Sequence, residues 1–561
     1  MSGYSKISKK FNLSFFKKIF PYIILIFISL FIHFNALSKP GMYITHDGEV
    51  HILRSINFKE EILRGQIPVR MIPQQAYSYG YEVFNFFYPL PAYLTSIFQL
   101  SGMTTTASFK LMQFFTTLLS GVFFYMWLKR HTDSLSALTG SLIYLLVPFR
   151  IATIYVTGQL GGYLGLLFVP IILNGLYDVF KEKNKHGLFL SFGIAGLITS
   201  HLLSAIVFFI PLAFYTLYLM NSKRSVKLIK KFILYSLLGF GLSSFYFIPF
   251  MIEKKWIRLG NAILVNHRDH WPTIKQLLYS PWGYGHSNPG PNDGMTFQIG
   301  FTILVSSFVA LLLSFTKKLS SNLTKIMVVA TLIIFYLMTD YSRSLWELIV
   351  PLQLVQYPWR LLASTSLIGS ILIGLISNSL KGKNKYLFIV FILALGFYNV
   401  RNYLRAWPND WRVDNDYINN THALHGPTDI SWELTPINVT QVPSETPEFV
   451  VGNPDIESFG VTIPITGSIR KSVNIKTVKP TTVELSLWSL PVWKIYVNDK
   501  LSNTQISENG TVLVNVPEAE SKIEVVLVET PLEKTSNFIT VLSFLILIIL
   551  YIKNKKNENL K

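Results

Sequence analysis

Apolar residues gather into about twelve runs long enough, or nearly so, to cross a membrane as helices: roughly 19–37, 109–128, 134–149, 160–178, 187–201, 202–220, 231–250, 297–315, 325–339, 360–378, 385–400 and 536–552. Some fall short of the ~20 residues a crossing needs, a deficit that shifted boundaries absorb. The segments dense in Lys and Arg are the N-terminus, Lys129-Arg130, Lys181 to Lys185, Lys223 to Lys231, Lys317 to Lys325, Lys381 to Lys385 and the tail from Lys553. They fall at alternate ends of the runs, with Lys254-Lys255 the exception, and such segments stay in the cytoplasm. Both termini are therefore expected inside, and 38–108, 251–296, 340–359 and 401–535 outside.

Three stretches break the helical pattern. Phe84 to Leu100 is apolar enough to span, but counting it would turn every later basic loop outward. With Pro89 and Pro91 near its start and four aromatic residues before them, it is expected to be an interfacial or re-entrant helix on the outer face. Residues 251–296 are rich in Trp, His, Pro and Gly and predict turns with aromatic surfaces. Beyond 401, T-V-E-L-S-L-W, V-W-K-I-Y-V, T-V-L-V-N-V and K-I-E-V-V-L-V alternate at the period of strands and are broken by N-D-K and E-N-G. They predict a small β-sandwich-like domain outside the membrane.

Composition agrees with a polytopic α-helical membrane protein: 50% of the 561 residues are hydrophobic and mean hydropathy is +0.38. The formal net charge of +19 belongs to topology rather than to nucleic-acid binding, because the basic residues cluster at the ends of the apolar runs. Cysteine is absent, which excludes disulfides, thiol nucleophiles, Cys-ligated zinc and iron–sulfur clusters. The first run follows Lys6, Lys9, Lys10, Lys17 and Lys18 and is expected to be a retained anchor rather than a cleaved signal.

Charge concentrates in Thr45 to Arg70, which holds His46, Asp47, Glu49, His51, Arg54, Lys59, Glu60, Glu61, Arg64 and Arg70. If a helix starts at Asp47, then Asp47, His51 and Arg54 share one face at i, i+4 and i+7. The competing reading makes Asp47 a plain N-cap before an amphipathic surface helix, Ile52 to Leu63, with Lys59, Glu60, Glu61 and Arg64 in solvent. No G-x-x-x-x-G-K-[ST], H-E-x-x-H or G-x-S-x-G in context occurs. The apolar runs hold few ionisable groups, unlike those of an ion-coupled transporter.

The order of these features, one span, a long outer loop opening on T-H-D-G-E-V-H, the segment F-Y-P-L-P-A-Y, many spans and a β-rich outer domain, resembles the GT-C superfamily of membrane glycosyltransferases. T-H-D-G-E-V-H-I-L-R, G-Q-I-P-V-R, F-Y-P-L-P-A-Y and V-Q-Y-P-W-R-L are similar to bacterial membrane proteins labelled 6-pyruvoyl-tetrahydropterin synthase-related. A pterin synthase needs a soluble zinc site, which the sequence does not offer. The resemblance implies a basic N-terminus at 1–18, a GT-C-like membrane domain at 19–400, the outer β-rich domain at 401–535, a last span at 536–552 and a cytoplasmic tail at 553–561.

The activity implied is transfer of a sugar from a polyprenyl phosphate to a cell-envelope glycan or lipid on the outer face of a bacterial plasma membrane, with the bilayer as partner and no nucleic acid. Asp47 matches the superfamily's first-loop aspartate, a catalytic base or metal ligand. A divalent metal, Mg or Mn, is the one cofactor the resemblance allows. Arg150 to Tyr163 carries no carboxylate, so Glu49 or Asp269 would have to complete a metal site. Arg360, with Arg150 and Arg70 behind it, is the candidate for the donor phosphate, against a reading of each as an interfacial anchor. His267, Arg268, Asp269 and His270, beside Trp271, form a candidate acceptor site or a plain surface turn; His286 and Asp293 are weaker candidates. Trp488 and Trp493 are glycan contacts or, more simply, core. A transporter or flippase of a lipid-linked sugar, and a non-enzymatic surface module, are the alternatives.

Overall fold

A computed structural model of the chain describes residues 2–181, 187–222, 225–260, 266–315, 321–407, 410–419, 433–441, 443–451, 456–463, 467 and 469–559. The basic residues Lys183, Lys185, Lys223, Arg224, Lys317, Lys318 and Lys561 lie outside them. Each of the twelve apolar runs falls on a helix. Among the described residues, five helices are long and apolar enough to cross a membrane: Phe15–Leu37, Thr105–Leu128, Leu160–Lys181, Pro358–Ser379 and Pro531–Lys556. The number rises to eight if each of three bent pairs counts once, with bends of 41° after Leu145, 73° after Leu242 and 91° after Leu337. Leu188–Ser200, Phe209–Asn221 and Phe301–Ser314 are shorter apolar helices.

Helix Leu160–Lys181 is buried along nearly its whole length and packs on Leu188–Ser200 and Thr105–Leu128. Small residues set that packing: a Cβ on Gly175 would strike the backbone of Leu190, and one on Gly193 would strike Ile172. Side chains terminate the helices where the sequence supplies them. Thr104 accepts from the Ala107 N–H at 3.3 Å, and Asp133 accepts from the Leu135 and Ser136 N–H groups at 3.1 and 3.2 Å.

Phe84 to Leu100 forms two short helices, Val83–Phe86 and Leu90–Leu100, with Pro89 at the N-cap of the second. Eleven residues reach only ~16 Å against a ~30 Å hydrocarbon core, so this helix does not span. It packs on Gly48–Leu63 and on Thr105–Leu128.

The described residues form ten short strands, in chain order β1 Met42–Tyr43, β2 Trp411–Arg412, β3 Ile456–Thr462, β4 Ile469–Thr477, β5 Thr481–Trp488, β6 Trp493–Val497, β7 Lys500–Leu501, β8 Thr504–Ile506, β9 Thr511–Val516 and β10 Ala519–Leu527. β3 to β10 make the sandwich, with a five-stranded sheet in the order β3-β4-β10-β6-β7 and a three-stranded sheet in the order β5-β9-β8. All neighbours are antiparallel, with Ile523 opposite both Val473 and Val497, and Val483 opposite Val514. Alternate residues of β5 and β9, among them Val483, Leu485, Val512 and Val514, meet Val473, Ile475, Ile495, Ile523 and Val525 of the other sheet. Asn498-Asp499, at φ of 49° and 62°, closes the β6–β7 hairpin in the left-handed turn that N-D favours.

The sandwich strands run from Ile456 to Leu527, within the 401–535 expected for the β-rich domain. Before them, β2 pairs with β1 and the Asp414 carboxylate accepts from the Thr105 and Thr106 N–H groups at 2.5 and 3.0 Å, which ties this stretch to the helical part, whereas Phe449 and Val450 join the sandwich core and Val450 bridges Leu485. Trp488 is 2% exposed, stacks on Tyr79, and donates its backbone N–H to Tyr79 O at 2.9 Å. Trp493 is buried in the sandwich interior, so both tryptophans are core.

Candidate functional site

The turn carrying Asp47 is held by backbone. His46 N–H donates to Val156 O at 3.0 Å and Asp47 N–H to Thr157 O at 2.9 Å, docking T-H-D-G on the π-helical turn Thr153–Thr157. The turn ends at Gly158, φ 63°, where a Cβ would collide with Thr45 and crowd the Gly48 nitrogen. The helix Gly48–Leu63 then starts with the Gly48 N–H donating to Thr45 Oγ1 at 3.0 Å. Asp47 occupies the N-cap position, yet its side chain caps nothing. Thr45 has taken that role, which leaves the carboxylate available for other partners.

Around the half-buried Asp47 stand Arg360, Arg54 and His286, all close enough to act on its charge. Burial pushes the Asp47 carboxyl up to about 6, and those three groups, Arg360 foremost, oppose the rise. Tyr88, from F-Y-P-L-P-A-Y, lies in the same field: burial and the Asp47 charge push its hydroxyl up, against Arg54 and Arg360. Tyr357 is raised by burial and by Asp47 and lowered by Arg360. Asp47, Arg54, Arg360, Tyr88, Tyr357 and His286 therefore share one electrostatic neighbourhood. It draws on the first loop, residues 251–296 and the segment ahead of Pro358–Ser379.

Arg360 is aimed by its own turn: Nη1 donates to Val355 O at 2.9 Å and Gln356 Oε1 at 2.7 Å, and the guanidinium lies 4.8 Å from the Tyr357 ring centre. Its buried Nε has no hydrogen-bond partner among the described residues. Gln356 sits at φ 70°, the left-handed conformation that turns the chain into Q-Y-P-W-R. Arg54 lies 4.1 Å over the Phe87 ring. Nearby, His46 Nε2 meets Tyr284 O at 3.1 Å and its ring lies 4.2 Å from that of His286.

His51 and Arg54 are both buried on the inner face of their helix. Burial lowers the His51 imidazole to about 3, so it is neutral, packed on Phe87 at 5.7 Å and Tyr88 at 6.0 Å. It is a wall of the site rather than a cation. The reading of this helix as solvated fails at Glu61, whose side chain is 0% exposed and pairs with Arg64 at 3.1 Å and Arg470 at 3.5 Å.

The other expected residues separate. His267 stacks on Trp346 at 5.5 Å, Arg268 pairs with Glu347 at 3.1 Å, and the Asp269 carbonyl accepts from the Gly290 N–H. His270 lies 4.8 Å from the Tyr357 ring, and its Nδ1 meets Ser287 Oγ at 3.1 Å. This cluster thus adjoins the Asp47 neighbourhood through Tyr357. Asp293 accepts from Gln276 Nε2 and the Asn288 N–H and holds its own loop together. Glu49 turns away to Arg412 at 2.9 Å.

Arg150 is 0% exposed, with Nε donating to Tyr144 O at 3.0 Å and the guanidinium over the rings of Tyr144 and Tyr163. Arg70 donates to Asn85 Oδ1 and Phe245 O, each at 2.7 Å, and lies 3.5 Å from Glu533. Neither Arg150 nor Arg70 is among the charges that act on Asp47.

A magnesium or manganese ion at Asp47 needs further carboxylates beside it. Glu49 is committed to Arg412, and Asp269 is not among the groups that act on Asp47. The residues present do not fit such a site.

Residues 84–405 match the sequence model of a family described as "6-pyruvoyl-tetrahydropterin synthase related domain; membrane protein". The chain belongs to that family. A protein of Lactococcus lactis subsp. cremoris (strain MG1363), described as uncharacterized, is 27% identical over 259 residues, 44% of this chain and 41% of that protein. The match thus spans about two fifths of the relative's length. Within the stretch shared with the PTPS-related family lie Tyr88, Arg150, His267 to His270, His286, Tyr357 and Arg360, whereas Asp47 and Arg54 precede it. Reading the sequence alone missed Tyr88 and Tyr357, although the motifs that hold them, F-Y-P-L-P-A-Y and V-Q-Y-P-W-R-L, stood out.

Proposed function

We propose that this protein is a membrane glycosyltransferase of the GT-C type, in which Asp47 is the general base and the donor is a sugar on a polyprenyl phosphate. In this reading the chain crosses the bacterial plasma membrane about twelve times, with both termini in the cytoplasm and the sandwich outside. The acceptor is a cell-envelope glycan or lipid. The observation that supports it is Asp47 itself: an uncapped, half-buried carboxylate, raised to about 6, facing two arginines.

The acceptor hydroxyl attacks the anomeric carbon as Asp47 takes its proton. The new C–O bond forms while the bond from the anomeric carbon to the phosphate oxygen breaks, and polyprenyl phosphate departs with the electron pair. A carboxylate near 6 is ionised at neutral pH yet basic enough to accept that proton, an effect of typically 10²–10⁴-fold. Arg360 and Arg54 stabilise the departing phosphate, and Arg360 brings a buried Nε without a protein partner. Tyr88 and Tyr357 position these charges. His270 and Trp271, beyond Tyr357, offer the acceptor sugar a polar edge and an aromatic face.

Export or flipping of a lipid-linked sugar is the second reading. It draws on a buried polar chain within the helices, in which His33 Nε2 meets Thr117 Oγ1 at 2.7 Å and Tyr163 lies between His33 and Arg150. Reconstitution separates the two. Transfer of label from a polyprenyl-phospho-sugar to an acceptor supports catalysis, and movement of intact lipid across the bilayer without transfer overturns it.

A further inference from the structure

Away from Asp47, three carboxylates from distant parts of the chain converge. Glu82 comes from the first loop, Glu253 from the end of helix Ser244–Glu253, and Glu533 from the first turn of Pro531–Asn559. One oxygen of each lies within 4.8 Å of the others, and all three residues are buried.

Their hydrogen bonds do not balance. Asn85 Nδ2 sits 2.8 Å from Glu82, 2.9 Å from Glu253 and 3.1 Å from Glu533, three acceptors for two amide hydrogens. Thr530 satisfies one oxygen each of Glu253 and Glu533. Glu82 Oε2, on a residue 2% exposed, has no hydrogen-bond partner among the described residues. The charge does not balance either. Glu529 adds a fourth carboxylate 3.8 Å from Arg70, while the cations that act on the three glutamates among the described residues are Arg70 and the more distant Lys255. An excess of buried negative charge is costly unless something positive joins it.

We propose that Glu82, Glu253 and Glu533 form a divalent-cation site of the calcium class, which fastens the start of the last helix, and with it the exit of the β-sandwich, onto the first loop. Calcium takes carboxylate oxygens at 2.3–2.6 Å, so opposite ligands stand ~4.6–5.2 Å apart, the scale of this cluster. One such ion supplies the two missing positive charges and a partner for Glu82 Oε2. It takes the three oxygens over from the Asn85 amide, whose Oδ1 stays bonded to Arg70. Entry is through a cavity of about 480 Å³ lined by Arg70, Glu82, Glu529 and Glu533 and walled by Arg64 and Arg470.

The test uses the full chain in detergent, stripped with EDTA and titrated with calcium chloride, with magnesium and manganese in parallel. One calcium per chain by calorimetry and a higher Tm with calcium than with EDTA are expected. Glu82→Gln is expected to weaken binding by about tenfold or more, and the exposed control Glu508→Gln to leave it unchanged. A Tm that ignores all three ions, or one that follows pH alone because protons neutralise the cluster, overturns the proposal. Equal binding by Glu82→Gln overturns it as well. Should Glu82→Gln fail to fold, the wild-type titration still decides, and Glu82→Asp, which keeps the charge on a shorter arm, is expected to bind more weakly.

Discussion

At Asp47 the cost of burying a charge exceeds the attraction of Arg360, Arg54 and His286, and the net result is a carboxyl near 6. The linkage has a definite sign. The folded value lies above the reference 3.8, so Asp47's favourable contribution to folding is complete below about 3.8 and is lost as pH rises through about 6. Asp47→Asn, which removes the buried charge, is therefore expected to raise Tm at pH 7 relative to wild type, with the difference closing toward pH 4, measurable by a thermal melt at several pH values. A variant that melts lower at pH 7 would mean that Asp47 is held by its arginines more than it is penalised by burial. Arg360 depresses the same group, so Arg360→Gln is expected to move the Asp47 titration above 6, shifting the acidic limb of the transfer rate to higher pH and raising the donor KM. Asp47 and Arg360 were legible in the sequence as chemistry in short motifs. His286 stood there only as a weaker candidate, because its standing comes from a ring contact with His46 across 240 positions of chain, which no local pattern encodes.

Among the elements, the turn Thr153–Thr157 does work that a reading of side chains overlooks. In Arg150 to Tyr163 the sequence drew attention to the missing carboxylate, whereas the segment's contribution is two backbone carbonyls, of Val156 and Thr157, that hold His46 and Asp47. Gly158 is required there because its φ is 63° and Thr45 fills the space beside it. Gly158→Ala is expected to lower Tm, by more than the ~0.4–1 kcal/mol that such a change gains at a compatible site, and to lower transfer by displacing Asp47; a melt and a rate measured together check this. The break in Phe84 to Leu100 was legible from its prolines, and the chain there forms Val83–Phe86 and the 11-residue helix Leu90–Leu100. The sandwich strands were legible from alternation alone. Their attachment was not: Trp488 reads as core, but the core it joins is shared with Tyr79 and Tyr81 of the first loop. Trp488→Ala is expected to cost ~3–5 kcal/mol at that junction, seen as faster proteolysis between the loop and the sandwich.

For the molecule as a whole, all twelve apolar runs coincide with helices because hydropathy over ~20 residues is a local property. The 73° and 91° bends are tertiary features and left no comparable trace. The described residues between 401 and 451 were assigned to the β-rich domain by sequence. Part of that stretch joins the helical part, where Trp411 lies against Lys39 and Lys110, at 5.0 and 5.9 Å, and Asp414 caps the helix at Thr105, while Phe449 and Val450 join the sandwich core. The proposed topology can be tested directly, since a chain without cysteine accepts single reporters. Asn503→Cys in the sandwich is expected to react with an impermeant maleimide in intact cells, and Lys383→Cys only after lysis; the reverse pattern would invert the orientation. The most direct test of the central claim is the pH dependence of kcat/KM for sugar transfer from a polyprenyl-phospho-sugar by the reconstituted protein, wild type against Asp47→Asn. The account predicts a wild-type rate that climbs with pH to a plateau above about 6, and a variant slower by roughly 10²–10⁴-fold that lacks this limb. A folded Asp47→Asn protein transferring sugar at the wild-type rate, with the same profile, would contradict it.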